Sequence, residues 1–164
     1  MIEAVRHLYE RDAGVPVLEA ALPSGIVLRV PVAADDSALA RLMEAAYVGT
    51  IDQDLGDNDD GDVEIAEWRA NGADAERSRV AEDDLGRLVG ASLMSAARSR
   101  LLLNYVITTP AWKQQGVAGA LLAASLTAVA ELGEQPVVAG VTLGNEPSER
   151  LLRKQGFHRG HAIS

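Results

Sequence analysis

The sequence has no cysteine among its 164 residues, and it is poor in aromatic side chains and in basic charge. The absence of cysteine excludes disulfides, thiolate metal sites and a cysteine nucleophile. No apolar run approaches the ~20 residues of a transmembrane helix, and residues 1–10 mix charges too freely for a signal peptide. These absences favour a cytoplasmic protein of one domain, with no membrane partner.

Acidic residues outnumber basic ones, and the net charge is −9. The arginines are scattered and form no basic stripe of the kind that binds a phosphate backbone, so nucleic acid is not an expected partner. The acidic surface favours solubility, and it can also attract a cationic substrate.

Aspartates are concentrated in residues 52–62. The spacing of this stretch partly imitates a calcium loop, but Gly56 stands at the first ligand position, where such a loop has an aspartate. We therefore expect a solvated surface loop and no metal. A rim of carboxylates that attracts an amine is the alternative interpretation.

Periodicity and chain-breaking residues predict an alternation of strands and helices. The predicted strands cover residues 15–20, 26–31, 78–82, 87–95, 101–108, 136–143 and 157–163. The predicted helices start at residues 35–37, 62, about 117 and 145, and they end near Gly49, Ala70, Gly133 and Gly156. A hairpin-rich first half and an alternating second half predict an α/β (α+β) fold, with helices on the faces of a mixed sheet.

Residues 105–122 combine a strand, a stop at Pro110 and a helix that starts with small residues, Gly116, Ala118 and Gly119. The start of a helix leaves backbone N–H groups unpaired, and the macrodipole adds partial positive charge there. Small residues let a bulky anion approach the backbone closely. This stretch therefore predicts a phosphate site.

Two motifs in this order resemble those of the GNAT superfamily of acyl-CoA-dependent N-acetyltransferases. In the first, Lys113, Gly116 and Ala118 match a pattern of Arg or Gln, Gly, and Gly or Ala before a leucine-rich helix, with lysine as the departure. The second is a helix that begins at Asn145 and ends in Gly-Phe at Phe157. A dinucleotide-binding domain is disfavoured, because the glycine spacing is wrong and no acidic residue ends the following strand.

The resemblance covers about residues 26–163 and implies a GNAT-like mixed, mostly antiparallel sheet. Helices are expected on both faces, with a splay between the fourth and fifth core strands. The implied GNAT domain spans residues 26–164, after an N-terminal extension, residues 1–25, that holds an extra edge strand. Because the family's seventh strand is missing, we expect residues 15–20 or a partner chain, as in a homodimer, to cover that sheet edge.

The resemblance also implies acetyl-CoA as the acetyl donor, with its diphosphate on main-chain N–H groups and its pantetheine arm in the splay. The implied binding residues are Val106, Ile107, Thr108, Lys113, Gln114, Gln115, Gly116, Val117, Ala118, Gly119, Ala120, Asn145 and Ser148. A backbone N–H near Thr108 is expected to polarise the thioester carbonyl.

The implied activity is transfer of an acetyl group to an amine of a small molecule or peptide by direct attack. Many relatives carry an acid tyrosine where this chain has Leu152. The alternatives for the acid are Ser148, Tyr105 or water; those for the base are Glu64, Glu67 and Asn104, which also fit ordinary surface positions. No catalytic residue is therefore assigned.

The alternative function is an acyl-CoA-binding module without turnover, acting as a sensor or a partner subunit.

Overall fold

Seven strands form a mixed sheet in the computed structural model, which describes residues 6–46, 60–142 and 145–163. The strands are β1 (Arg6–Arg11), β2 (Val27–Arg29), β3 (Arg79–Glu82), β4 (Leu88–Ala96), β5 (Leu101–Thr108), β6 (Val137–Thr142) and β7 (His158–Ile163). The α-helices of the described chain are α1 (Asp36–Ala46), α2 (Gly61–Ala70), α3 (Val117–Leu132) and α4 (Glu146–Lys154). None of these helices is both long and apolar enough to cross a membrane.

The strand order in the sheet is β2-β3-β4-β5-β6-β1-β7. Every neighbouring pair is antiparallel except β5 and β6, which run parallel. That pair is in register only at Leu101 with Val137 and at Leu102 with Val138. The predicted splay between these two strands is therefore confirmed, as is the mostly antiparallel sheet.

The strand predicted at residues 15–20 is wrong, because these residues form no strand. The first strand is instead β1, which pairs antiparallel with β6 on one side and with β7 on the other. The N-terminal strand therefore lies inside the sheet and not at its edge. Neither residues 15–20 nor a partner chain is needed to pair with β6 on that side.

Long-range partners of polar side chains explain why β1 has no clear strand pattern. Arg11 is only 2% exposed. Its guanidinium donates to the carbonyl oxygens of Gln155 and Val15, each at 2.7 Å. Burial lowers the pKa of Arg11, although the charge of Glu134 opposes this effect. A buried arginine is stable here because the carbonyl of Gln155, distant in sequence, and that of the nearby Val15 satisfy its donors.

The core lies on both faces of the sheet, so the predicted helices on both faces are confirmed. On one face, α3 and α4 pack against strand residues that include Tyr9, Leu103 and Val141. On the other face, α1 and α2 pack against Val80, Ala91, Leu93 and Ile107. The alternation of side chains along each strand supplies both surfaces.

The helices follow the predicted apolar pattern where they are described. The inner face of α1 carries the buried residues Leu39, Leu42, Met43 and Ala46, as predicted. The Asp60 side chain caps α2 by accepting hydrogen bonds from the N–H groups of Asp62 and Val63. Tyr47, the predicted helix end at Gly49, most of the acidic loop 52–62 and the strand end at Leu143 lie outside the described residues.

Candidate functional site

A gap opens between β5 and β6 beyond Leu102 and Val138, where their pairing ends. The register between β4 and β5 shifts at the same level, because Leu93 faces Tyr105 whereas Met94 faces Leu103. Asn104 is thus the extra residue of a β-bulge, which bends a strand and increases its twist. Beyond the bulge, every second N–H and C=O group of β5 points away from β4 and into this β5–β6 gap.

The α3 turn, which comprises residues 113–116, ends beside this gap. Gln114 and Gly116 adopt left-handed backbone conformations, with φ of 62° and 90°. Gly116 is the N-cap of α3 and offers no side-chain hydrogen bond to the helix. The first N–H groups of α3, from Val117 to Gly119, therefore have no side-chain cap and no intrahelical acceptor. They form a cluster of donors at the positive end of a helix dipole.

Close packing of α3 on the sheet keeps this donor cluster near the gap. A Cβ placed on Gly90 of β4 would lie 2.8 Å from Leu121 Cδ1 and 2.9 Å from Val117 Cγ1. Only glycine leaves room for the first turns of α3 at this distance. The beginning of the helix is consequently held against the sheet beside the end of β5.

Local charge around the α3 turn differs from that of the whole chain. No acidic residue occurs from residue 101 to residue 130, although the net charge of the chain is −9. The ammonium of Lys113 donates a hydrogen bond of 2.9 Å to the carbonyl oxygen of Ala46, at the end of α1. The surroundings of the turn therefore suit an anion, with the main-chain N–H groups as its donors.

Thr108 provides an independent sign of a ligand in the gap. The residue is 8% exposed, and its Oγ1 is one of the buried side-chain atoms without a hydrogen-bond partner in the described part of the chain. Buried polar groups are nearly always hydrogen-bonded. Thr108 is the last residue of β5, between the gap and the α3 turn. Its hydroxyl fits a polar ligand that enters the gap beside the α3 turn.

The other predicted gap residues divide between the two faces of the sheet. Val106 packs against the core under α3 and α4, whereas Ile107 is buried in the core under α1 and α2. The side chain of Ile107 thus belongs to the core, and its main chain is the part that a ligand in the gap can contact.

The second motif forms α4 as predicted. Asn145 is its N-cap, and the side-chain oxygen accepts a hydrogen bond from Ser148 N at 3.4 Å. Leu152 is 3% exposed and packs in the same core cluster as Tyr9 and Phe157. At the position where the resemblance implies an acid tyrosine, the structure therefore has an apolar side chain in the core.

Residues 15–22 lie along the site, a feature that the sequence did not reveal. A Cβ placed on Gly119 would lie 4.0 Å from Ala20 Cβ, and one on Gly116 would lie 3.8 Å from Ala21 O. The Gln155 side chain anchors the segment through hydrogen bonds of 3.0 and 2.8 Å with Leu18 N and Leu18 O. The segment thus runs from the end of α4 to the beginning of α3.

Two of the candidate proton-transfer residues meet on the face covered by α1 and α2. The hydroxyl of Tyr105, on β5, donates a hydrogen bond to Glu64 Oε2, in the first turn of α2. Glu67 and Asn104, the other candidates for a base, are exposed. Among the described residues, no group of three or more His, Asp or Glu side chains is placed to hold a metal ion.

Similarity to known proteins agrees with this geometry. The model of the acetyltransferase (GNAT) family matches residues 39–157. None of the curated proteins matches the sequence significantly. A GCN5-related N-acetyltransferase from Sphaerobacter thermophilus has a similar structure, with a TM-score of 0.76 and 22% identity over 97% of this chain and 49% of its own. The chain thus spans about half the length of that protein.

Two other solved structures match over most of their own length. A GNAT family acetyltransferase from Brucella melitensis, solved in complex with acetyl-CoA, has a TM-score of 0.65 and 22% identity over 85% of this chain and 91% of its own. The ribosomal-protein-S18-alanine N-acetyltransferase from Escherichia coli has a TM-score of 0.66 and 13% identity over 83% and 79%. At these identities, the structures show a shared fold. Because the family model also matches more than half of the sequence, the chain belongs to the GNAT acetyltransferase family.

Proposed function

We propose that this protein binds acetyl-CoA between β5 and β6 and transfers the acetyl group to an amine. The observation that carries the proposal is the β5–β6 gap, which opens after two paired positions beside the uncapped start of α3. Family membership and the acetyl-CoA bound in the Brucella structure support the choice of donor. The unpartnered hydroxyl of Thr108 supports a polar ligand at the same place.

The α3 turn is the proposed diphosphate site. The N–H groups from Gln114 to Gly119 act as donors, and the helix dipole stabilises the negative charge. The N–H of Ala120, which the resemblance also implied, instead donates to Gly116 O within α3. Gly116 and Gly119 carry no side chain that would keep phosphate oxygens away from the backbone. Lys113 adds positive charge within the same turn, while its ammonium also binds the end of α1.

The gap is the proposed site of the pantetheine arm and the thioester. Main-chain groups of Val106, Ile107 and Thr108 line its β5 side, and Asn145 and Ser148 lie at the beginning of α4, which follows β6. An N–H group of β5 that points into the gap can donate to the thioester carbonyl and stabilise the oxyanion formed by attack. Bound acetyl-CoA supplies the activated acetyl group, and the chain orients it toward the incoming amine.

The proposed acceptor is an amine on a small molecule or peptide, and a cationic one suits the acidic chain. At neutral pH an alkylamine is protonated, with a pKa near 10 for a lysine-type amine. A net charge of −9 raises the local concentration of such cations. The amine must lose a proton before it attacks, so the site requires a proton acceptor.

The alternative function is an acyl-CoA-binding module without turnover. The burial of Leu152 in the core favours it, because α4 offers no acid for the leaving thiolate at that position. A free thiol has a pKa of only about 8.5, however, so the thiolate leaves without strong acid assistance. This chemistry makes transfer the preferred proposal.

Calorimetry with acetyl-CoA, followed by an assay of CoA release, separates the two functions. The acceptors for the assay are a polyamine, an amino acid, a peptide with a free N-terminus, an arylamine and hydroxylamine. We expect saturable binding of acetyl-CoA and amine-dependent release of CoA with at least one acceptor. Tight binding without release for any acceptor would favour the binding module. The absence of any binding would overturn both functions.

A further inference from the structure

We propose that Tyr105 and Glu64 form a proton relay that moves the proton of the acceptor amine to the leaving thiolate. The proposal rests on the acetyl transfer proposed above and assigns the proton chemistry of that site. It starts from the hydrogen bond that joins the Tyr105 hydroxyl to Glu64 Oε2. These residues are 41 positions apart in the sequence, on β5 and α2.

In this proposal the amine approaches from the side of the sheet that carries α1 and α2, where the pair lies. The α3 and α4 helices cover the gap region on one face, where Leu103, Leu122 and Leu126 are buried together. Tyr105 lies on the opposite face, where it packs against the core of α1 and α2. It belongs to the half of β5 that has separated from β6, and it directly follows the bulge at Asn104. The relay therefore stands beside the gap, on the face of the sheet that carries α1 and α2.

Contacts between α1 and α2 hold Glu64 in place. A Cβ on Gly61 would lie 2.1 Å from Ala40 O, so the start of α2 touches the backbone of α1. Glu44 accepts a hydrogen bond of 2.9 Å from Gly61 N. At the other end of α2, Arg69 donates to the Asp36 carboxylate at 2.9 Å. The carboxylate of Glu64 is thus carried on a helix fixed at both ends, while its side chain is only partly buried.

Glu64 and Tyr105 suit the proton transfers that acetyl transfer requires. The amine nitrogen forms a bond to the acetyl carbon, and the bond from that carbon to sulfur breaks. Glu64 takes one proton from the ammonium of an alkylamine before the attack, and Tyr105 gives its hydroxyl proton to the thiolate. The proton on Glu64 then returns to the Tyr105 oxygen along their hydrogen bond. One proton thus passes from nitrogen to sulfur, the acetylated nitrogen releases its second proton to solvent, and both residues are restored.

The test compares an acceptor that needs a base with one that does not. An alkylammonium acceptor must be deprotonated, whereas hydroxylamine is largely unprotonated at neutral pH. We expect Glu64→Gln to lower kcat/KM by about 100-fold for the alkylamine and by less than about threefold for hydroxylamine. Tyr105→Phe should lower kcat by about tenfold with both acceptors, since the thiolate loses its proton donor.

The matched control is Glu131→Gln, which removes the same charge from an exposed position near the end of α3. It should leave both rates unchanged, and all three variants should bind acetyl-CoA with wild-type affinity. Equal losses for the two acceptors in Glu64→Gln, or full activity in both relay variants, would overturn the relay while leaving acetyl transfer intact. Binding of acetyl-CoA by the wild type without transfer to any acceptor would overturn the transfer function and the relay together.

Discussion

The side-chain ammonium of Lys113 lies 2.9 Å from the main-chain oxygen of Ala46, the last residue of α1. The helix dipole favours a cation near the C-terminal end of a helix. Lys113 therefore ties the α3 turn to the helix on the opposite face of the sheet. Its implied contact with the phosphates stays a prediction.

We expect Lys113→Met to lower the free energy of unfolding by about 1 kcal/mol, because the end of α1 loses a charged donor. Acetyl-CoA affinity should change by less than about threefold, since main-chain N–H groups are the proposed phosphate donors. Chemical denaturation and calorimetry measure the two effects. Lys154→Met, at an exposed position, is the control for charge. A tenfold loss of affinity with unchanged stability would instead place the ammonium on the phosphates.

The left-handed conformation of Gly116 makes the α3 turn sensitive to a single methyl group. Its φ is 90°, and among the described residues a Cβ there would contact only Ala21 O, at 3.8 Å, so conformational strain outweighs steric clash. We expect Gly116→Ala to cost about 1–2 kcal/mol of stability. If the turn shifts to relieve that strain, acetyl-CoA affinity should fall by at least about tenfold, which is about 1.4 kcal/mol.

Gly86 provides the matched control, because its φ is 75° and a Cβ there would meet nothing within 4 Å in the described part of the chain. It lies in the hairpin between β3 and β4, away from the gap. Gly86→Ala should show the same loss of stability with unchanged affinity. Wild-type affinity in Gly116→Ala, measured by calorimetry, would argue against diphosphate binding at the α3 turn.

Thr108→Val tests two effects of the unpartnered hydroxyl: its effect on stability without ligand and its contribution to acetyl-CoA affinity. Without ligand, the variant should be as stable as the wild type or up to about 1 kcal/mol more stable, because a buried polar group without a partner is removed. With acetyl-CoA, affinity should fall by about fivefold to tenfold, the equivalent of one hydrogen bond. Unfolding curves with and without ligand measure both quantities.

Thr127→Val is the control for that experiment, since the Thr127 hydroxyl donates to Ala123 O at 2.8 Å within α3. We expect no change in affinity for this variant. If Thr108→Val also has unchanged affinity, acetyl-CoA makes no hydrogen bond with the Thr108 hydroxyl.

Asp35 makes the stability depend on pH. Arg29 donates to both oxygens of its carboxylate at 2.8 Å, and this hydrogen bonding holds the pKa of Asp35 below its ordinary value. A lowered folded-state pKa stabilises the protein above the unfolded pKa of about 3.9, and this contribution is lost as the pH falls through the folded value. Denaturation between pH 7 and pH 3 should show that decline.

In Asp35→Asn we expect a loss of about 2 kcal/mol at pH 7 and a shallower decline below about pH 4. The amide cannot accept two charge-assisted hydrogen bonds from Arg29, and it does not titrate in this range. Glu131→Gln, at an exposed position of α3, should keep the wild-type profile. A variant as stable as the wild type at pH 7 would show that the ion pair adds nothing net.

The motif-bearing half was predictable because its signals are local. The spacing of Gly116, Ala118 and the following leucines predicts a helix start, and Asn145 predicts the cap of α4. Both features are present, since turns and caps depend on residues within a few positions of one another. The strand β1 could not be predicted in the same way. Its buried Arg11 is satisfied by Gln155, 144 positions away.

The sequence by itself predicted the mixed sheet and the glycine-rich start of α3, because apolar spacing and short-range turn chemistry encode them. The family and the splay between β5 and β6 followed from the resemblance of two motifs to those of the GNAT superfamily. Only the tertiary structure decided which strand fills the place between β6 and β7, and it also decided that Lys113 binds Ala46 and that Tyr105 binds Glu64. Those last two contacts join residues 67 and 41 positions apart. Contacts between residues so far apart depend on how whole helices and strands pack together, and a local sequence pattern does not predict that packing.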